Sequence, residues 1–326
     1  MSAFEGYDGL LVDLDGTVWR GDELIPGADE ALSAGPSAVF ATNNASRSAS
    51  AVAEKLRALG VPAEAGDVVT SSAAAARLVA ESVPEGAAVL VLGTDALVDL
   101  VAAEGLRPVS SAEDEPTVVI QGHSPETGWP QLSEAALALR AGARFVATNL
   151  DSSLPSARGL LVGNGSMVRA VANATGWEPE CAGKPEPLMY EMAVSSRGWR
   201  RPLVVGDRLD TDIAAAARAG YDSLHVLTGV SRAGDLLAAR EAERPTFIAP
   251  DFGAASRAPL EEFRPRPVEG VEASDDEDGG LVVSARVGGH EGLLGLVHAA
   301  WSLPEPPRAV RGADDDSRRV LEGWGL

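Results

Sequence analysis

The amino-acid sequence predicts an α/β protein: a parallel core sheet of the doubly wound type, a smaller α/β domain inserted into it, and a short C-terminal α/β appendage. Two observations predict this class. Short apolar runs alternate with Ala-rich segments of helical character along most of the chain, the rhythm of strands joined by crossover helices. The runs themselves, such as LLV, VVI and LVV, are continuous rather than alternating, as strands buried on both faces require.

Taken in order, GLLVDL (9–14) reads as a strand, GADEALSA (27–34) as a helix, SAVFATNN (37–44) as a strand and SASAVAEKLRALG (48–60) as a helix. TSSAAAARLVAESVP (70–84) adds a helix with Pro84 just beyond its end. A second series follows, with strands over 87–93, 117–122 and 144–149 and helices over 95–105 and 129–142. RPLVVGDRLDTDIAAAARAG (201–220), DSLHVLTG (222–229) and PTFIAPDF (245–252) then resume the first rhythm. The expected division is therefore core over 1–83 and 179–255, an inserted domain over 84–178, and an appendage over 256–326. RAPLEEFRPRPVEG and the acidic SDDEDGG that open the appendage are loop signals. One strand, GLVVSARV (280–287), and one helix, EGLLGLVHAAWSL (291–303), are too little for about 70 residues to fold alone. The helix face Leu293, Leu294, Val297 and Trp301 is expected to dock on the core, or to serve a homodimer contact.

At 326 residues the chain has room for about two domains at roughly 150 residues each. A net charge of -21 argues against a protein whose main work is holding nucleic acid or an anionic membrane surface, so an anionic substrate needs a local positive site or a metal. A single cysteine, Cys181, excludes an internal disulfide framework. MSAFEGYDGL has neither a basic leader nor an apolar one, and no stretch reaches about 18 apolar residues, so a cytoplasmic protein without membrane partners is expected. Lysine occurs only at Lys55 and Lys184.

Four signals carry chemistry. DLDGTV sets Asp13 and Asp15 where the first apolar run stops; side chains two apart on a strand point the same way, so the carboxylates converge. FATNNASRS delivers Thr42 and Asn43 into a turn, AGKPEP holds Lys184 between Gly183 and Pro185, and LVVGDRLDTDI delivers Asp207 and then Asp212. Singly, each fits a turn, an N-cap or a solvated lysine. Together, in order and each at a strand end, they describe one site. Asp13, Asp15 and Asp207 facing a phosphate dianion repel it at about 4 kcal/mol per charge pair at 4 Å and an effective dielectric near 20, so a hard divalent cation is required. Mg²⁺ suits two carboxylates, a backbone carbonyl and phosphate. Lys184 supplies a point charge and Thr42 a directed hydrogen bond. Asp13 can then attack phosphorus in line, and Asp15 can protonate the leaving oxygen and later activate water.

The set DLDGT, TNN, GKPEP and GDRLDTD resembles the four motifs of haloacid dehalogenase-like phosphatases, over about residues 8 to 255. The insertion between the second and third motifs resembles the class II cap of subfamily IIA, which includes para-nitrophenyl, phosphoglycolate, pyridoxal and glycerol phosphate phosphatases. The resemblance implies a Rossmann-like core and an aspartyl-phosphate on Asp13, with Asp15 as acid and base and with Thr42, Asn43 and Lys184 on phosphate. It implies Mg²⁺ on Asp13, the Asp15 carbonyl and Asp207, with Asp212 holding a metal-bound water. In the cap, ATNLDSSLP resembles the specificity region and implies Asn149, Asp151 and Pro155 as substrate positions. VVIQGHSPETGW departs from the family, with His123 and Trp129 where relatives often have Asp and Tyr.

The expected substrate is a small polyol phosphate, glycerol 3-phosphate ahead of 2-phosphoglycolate or a broad para-nitrophenyl phosphate range. The inserted domain holds only Trp129, Phe145 and Trp177 as aromatics, which disfavours a stacked base or pyridoxal. Its short polar groups, Asn149, Asp151, Ser152 and Ser153, suit hydroxyls. Asp151 would repel a substrate carboxylate, although Arg158 acts the other way. A dehalogenase is the nearest chemical rival, but halide leaves without a proton and gives Asp15 no task. A catalytically silent phosphoester sensor is the alternative of another class. GNGSMV (163–168) lacks the third glycine of a dinucleotide loop, and DLDG lacks the Glu that closes a calcium loop.

Overall fold

A computed structural model of the chain describes residues 3–44, 47–156, 158–275 and 279–326. Ala45 and Ser46 of the second motif's turn, and Asp276 to Asp278 of the acidic run, lie outside the described residues. By their internal contacts the residues form two units, Met1–Ala38 with Trp199–Leu326, and Val39–Gly198.

In the first unit, Phe247–Ala249, Asp222–Val226, Pro202–Gly206 and Gly9–Val12 lie side by side in that order as parallel strands. Gly9–Val12 and Pro202–Gly206 are buried throughout, which explains their unbroken apolar sequence. The first strand is shorter than GLLVDL. Leu14 leaves the ladder because its carbonyl accepts from the amides of Thr17, Val18 and Trp19, which turns the chain at once. A two-stranded hairpin, Trp19–Arg20 with Glu23–Leu24, follows across Gly21 and Asp22. After the strand at 202–206, a π-helical turn, Leu209–Ile213, leads into the Ala-rich helix Ala214–Ala219.

The appendage belongs to this unit. It holds more structure than the one strand and one helix expected. Leu281–Ala285 pairs antiparallel with Val271–Asp275 and parallel with Val310–Gly312, and the helix Gly289–Trp301 is joined by a second, Asp315–Gly323. The last helix escapes a reading by apolar pattern because only Ser317 and Leu321 of it are buried. Its start is fixed instead by Asp314, whose side chain accepts from the Ser317 amide. The docking expectation holds: Leu281, Val283, Leu293, Leu294, Val297 and Leu321 share one hydrophobic cluster with Leu209, Ile213, Leu236 and Ile248. Trp301 Nε1 donates to the Leu236 carbonyl at 2.7 Å, and His290 Nε2 lies 2.9 Å from the Ile248 carbonyl.

In the second unit, Ala38–Thr42 pairs parallel with Val68–Thr70. A five-stranded parallel sheet runs Glu180–Cys181, Arg144–Ala147, Val118–Gln121, Ala88–Leu92 and Arg107–Val109. Alternate residues serve its two faces. Leu90, Val119 and Phe145 pack with Ala135, Leu139 and Val168 of the helices Trp129–Arg140 and Asn164–Thr175. Val89, Ile120 and Val146 pack with Ala75, Leu97 and Met189 of the helices Ser71–Ala80, Asp95–Ala103 and Leu188–Arg197. Ser153–Ser156 and Gly159–Val162 form an antiparallel hairpin. No helix among the described residues is long and apolar enough to cross a membrane.

Leu294 is 1% exposed in the appendage cluster. Leu294→Ala is expected to cost about 2–5 kcal/mol in denaturant unfolding. Truncation after residue 255 should give a less stable, less soluble protein, and an unchanged melting temperature would show the appendage to be independent.

Candidate active site

Adjacent parallel strands bring the first unit's carboxylates together. Val12 is in register with Val205, and the Asp13 amide continues the ladder by donating to the Val205 carbonyl at 2.9 Å. Asp13 and Asp207 each follow the last residue of their strand, at the carboxyl ends where ligands of α/β sheets bind. The π-helical turn carries Asp212 back toward them. Asp13, Asp207 and Asp212 are 8%, 0% and 1% exposed, and each offers an oxygen within 4.8 Å of the others'. Sequence reasoning placed Asp212 outside the metal's own ligands; the structure sets its oxygen in the same cluster. Its Oδ2 also accepts from the Arg208 amide at 3.1 Å.

Asp207 is held by a loop the motifs did not reveal. Its Oδ2 accepts from the Val230 amide at 2.6 Å, and its carbonyl from the Ser231 amide at 3.1 Å. Ser231 Oγ accepts from the Leu209 amide, and the Ser231 carbonyl from His225, whose fully buried ring burial pushes down to about 4. A Cβ at Gly229 would lie 1.8 Å from Asp207 Oδ2, so only glycine lets this loop close on the carboxylate. Gly16, at φ 95°, meets the same carboxylate, where a Cβ would stand 2.6 Å from Oδ2. Thr228 Oγ1 donates to the Gly16 carbonyl at 2.6 Å and ties the two glycine-bearing turns together.

Asp15 stands apart from the buried cluster. It is exposed, and its Oδ1 accepts from Trp19 Nε1 at 2.8 Å.

The second unit holds the remaining core residues. Asn43 docks its amide on the Lys184 backbone in both directions: Nδ2 donates to the Lys184 carbonyl at 3.0 Å, and Oδ1 accepts from the Lys184 amide at 2.8 Å. Lys184 is 3% exposed, and its Nζ donates to the Ala41 carbonyl at 2.9 Å. Thr42 Oγ1 accepts from the Asn44 amide at 3.1 Å. Asn149 is buried too, and its Nδ2 donates to the Asn43 carbonyl at 2.8 Å, while its Oδ1 accepts from the Asp151 amide at 3.3 Å. Asn164 Nδ2 in turn reaches the Asn149 carbonyl at 2.8 Å. Asn149 thus ties Asn43 to Asp151, a role its position in the cap motif did not disclose. Pro155 lies on the hairpin strand Ser153–Ser156, and its side chain is outside the described residues. His123 is half-buried, and Trp129 is 80% exposed at the start of its helix.

A family model described as haloacid dehalogenase-like hydrolase matches residues 10–107, and one described as HAD-hydrolase-like matches residues 181–255. The chain is 45% identical to the D-glycerol 3-phosphate phosphatase of Mycobacterium tuberculosis, with 100% of this chain and 96% of that relative aligned. The chain belongs to the haloacid dehalogenase-like hydrolases. Another member, the acid sugar phosphatase of Staphylococcus saprophyticus, is 36% identical over 76% of this chain and 96% of its own length. The crystal structure of a glycerol phosphate phosphatase from Mycobacterium tuberculosis in complex with magnesium matches with a TM-score of 0.92 at 44% identity, covering 100% of this chain and 99% of that one. The 4-nitrophenylphosphatase from Thermotoga maritima matches with a TM-score of 0.71 at 32% identity, over 77% and 97% of the two chains.

For this haloacid dehalogenase-like hydrolase the motif reading and subfamily IIA agree with these relatives. The metal follows from the donor set. Three carboxylates almost sealed from water cannot all stay ionised without a cation, and three hard oxygens converging from rigid backbone suit Mg²⁺. Asp13, Asp207 and Asp212 form that metal site. Because a Cβ at 229 collides with Asp207, Gly229→Ala should weaken Mg²⁺ binding about tenfold or more in calorimetric titration while circular dichroism stays unchanged.

Proposed function

We propose that the chain is a Mg²⁺-dependent phosphatase that hydrolyses glycerol 3-phosphate through an aspartyl-phosphate on Asp13. The observation that carries the substrate is the full-length likeness to a D-glycerol 3-phosphate phosphatase, appendage included; the acid sugar phosphatase aligns with only 76% of this chain. The cap's aromatics agree. Phe145 is 4% exposed and spent in the core, so only the exposed Trp129 and Trp177 are left to stack on a ring, whereas Asp151 and its neighbours suit hydroxyls.

In this reading Asp13 attacks phosphorus and the bond to the glycerol oxygen breaks, with Asp15 giving that oxygen its proton. Asp15 then takes a proton from water, which attacks the aspartyl-phosphate, releases phosphate and regenerates Asp13. The bound cation supplies positive charge that lets an anionic ester approach the carboxylates. Lys184 and the Thr42 hydroxyl take phosphate oxygens, and Asn43 fixes Lys184 for that task. Asp13, Asp207 and the Asp15 carbonyl, with Asp212, hold the cation. Asn149 and Asp151 order the cap side of the substrate. The protein is read as cytoplasmic and as a homodimer, the latter checked by analytical ultracentrifugation.

Asp13→Asn is expected to keep the fold by circular dichroism and to remove essentially all turnover; an active variant would refute the mechanism. Chelator should abolish phosphate release and Mg²⁺ restore it. In a kcat/KM panel, glycerol 3-phosphate should exceed 2-phosphoglycolate, pyridoxal phosphate and nucleotides. A tenfold preference for one of the last two, about 1.4 kcal/mol in transition-state binding, would overturn the substrate.

A further inference from the structure

Trp19 is only 4% exposed, yet its indole Nε1 donates to Oδ1 of the exposed Asp15 at 2.8 Å. Backbone geometry fixes that reach. The Gly16 amide donates to the Trp19 carbonyl at 2.8 Å, the Trp19 amide to the Leu14 carbonyl at 3.0 Å, and Trp19 pairs with Leu24 in the hairpin. With its backbone so held and its side chain buried, the ring does not swing to follow Asp15 if the carboxyl turns. A carboxyl group rotates about its terminal torsion over a broad, two-fold well, so an exposed one has no preferred oxygen of its own. An indole N–H is a donor only. The oxygen it holds must face it with a lone pair, and because the carbonyl oxygen of a protonated carboxyl is the better acceptor, this bond favours the proton on the other oxygen.

We infer that Trp19 is a positioning residue for proton transfer: by holding Oδ1 it presents Asp15 Oδ2 to the leaving oxygen and then to water. The inference rests on the role of Asp15 proposed above. In the first step an oxygen lone pair of Asp13 forms the new P–O bond. The electron pair of the bond to glycerol returns to the glycerol oxygen, which takes the proton from Oδ2. In the second step water oxygen bonds to phosphorus, the Asp13–phosphorus pair returns to Asp13, and the proton from water passes to Oδ2. Both transfers use the same oxygen, which a freely turning carboxyl would not ensure.

Leaving groups separate this role from simple packing. Glycerol leaves as an alkoxide that needs a proton, whereas p-nitrophenolate leaves without one. The value of kcat/KM for an aryl ester extends only through release of that phenolate, before water is activated. With wild type and Trp19→Phe compared on both esters, kcat/KM for glycerol 3-phosphate should fall about 10- to 100-fold, a part of the ~10²–10⁴ that positioned acid–base help is worth. For p-nitrophenyl phosphate it should change by less than about threefold on the same scale. Equal losses on the two esters, or no loss on either, would overturn the inference. If Trp19→Phe fails to fold by circular dichroism, site-specific benzothienylalanine at 19, which replaces the N–H by sulfur in the same shape, gives the same comparison. Wild-type protein that does not hydrolyse glycerol 3-phosphate would instead sink the functional reading itself, before any variant is made, and this inference with it.

Discussion

Mutual repulsion of three carboxylates in a space nearly closed to water is the constraint on which the first unit depends. Asp13, Asp207 and Asp212 would lose hydration and gain like-charge neighbours at once, so their backbone must hold them where no relaxation is available. Parallel strand ends do this for Asp13 and Asp207, and a widened helical turn does it for Asp212. Glycines complete the arrangement. At Gly229 and Gly16 the chain approaches Asp207 more closely than any side chain permits, and the Val230 amide spends its hydrogen on the carboxylate. That amide offsets part of the negative charge without adding a second cation, and the remainder is left for a divalent ion.

The second unit solves a different problem, a buried ammonium group. Lys184 is fixed at both ends: Asn43 grips its peptide, and the Ala41 carbonyl accepts a hydrogen bond from Nζ. A flexible four-carbon stem is thereby made into a rigid point charge. Asn43 also passes its own carbonyl to Asn149 and to Ser71 Oγ, so the turn after Thr42 and the cap segment at 149–151 are held by one residue.

The central strands of the two parallel sheets were legible in sequence because Gly9–Val12, Ala88–Leu92 and Pro202–Gly206 are buried almost throughout and read as unbroken apolar runs, whereas the short edge strands Arg107–Val109 and Glu180–Cys181 are half-exposed and were not. Asp13, Asp15, Asp207 and Lys184 were legible because each follows an apolar run or a glycine, and Asp212 because it opens the Ala-rich segment after Asp207. What escaped notice was structure that buries little. The strands at 271–275 and 310–312 and the helix at 315–323 are polar or short, and they are set by pairing with Leu281–Ala285 and by a cap rather than by periodicity. The loop at 228–231 escaped because its hold on Asp207 is made by the amides of Val230 and Ser231, which have no residue signature; Gly229 was its clearest mark. The hairpin after the first motif left a signal, Gly21–Asp22 between two short runs. The bond from Trp19 to Asp15 joins residues four apart and needed that turn to be known. The bonds by which Asn149 ties Asn43 to Asp151 were not visible in its motif, since a motif reports that a side chain matters and not which partners it holds.

The appendage bears on the site through packing alone. Leu209 and Ile213, which bracket the turn carrying Asp212, are buried in the same cluster as Leu293, Leu294 and Val297. A π-helical turn is a poor structure in isolation and persists where its surroundings over-determine it. Here the hydrophobic side of the turn is closed by Leu209 and Ile213, while the polar side is closed by Arg208 and Ser231 donating to and accepting from it. Residues in one packed cluster couple energetically, so the stability of the appendage and the placement of Asp212 are not separable quantities. The C-terminal residues are thus part of what makes the metal site rigid, although none of them carries a ligand.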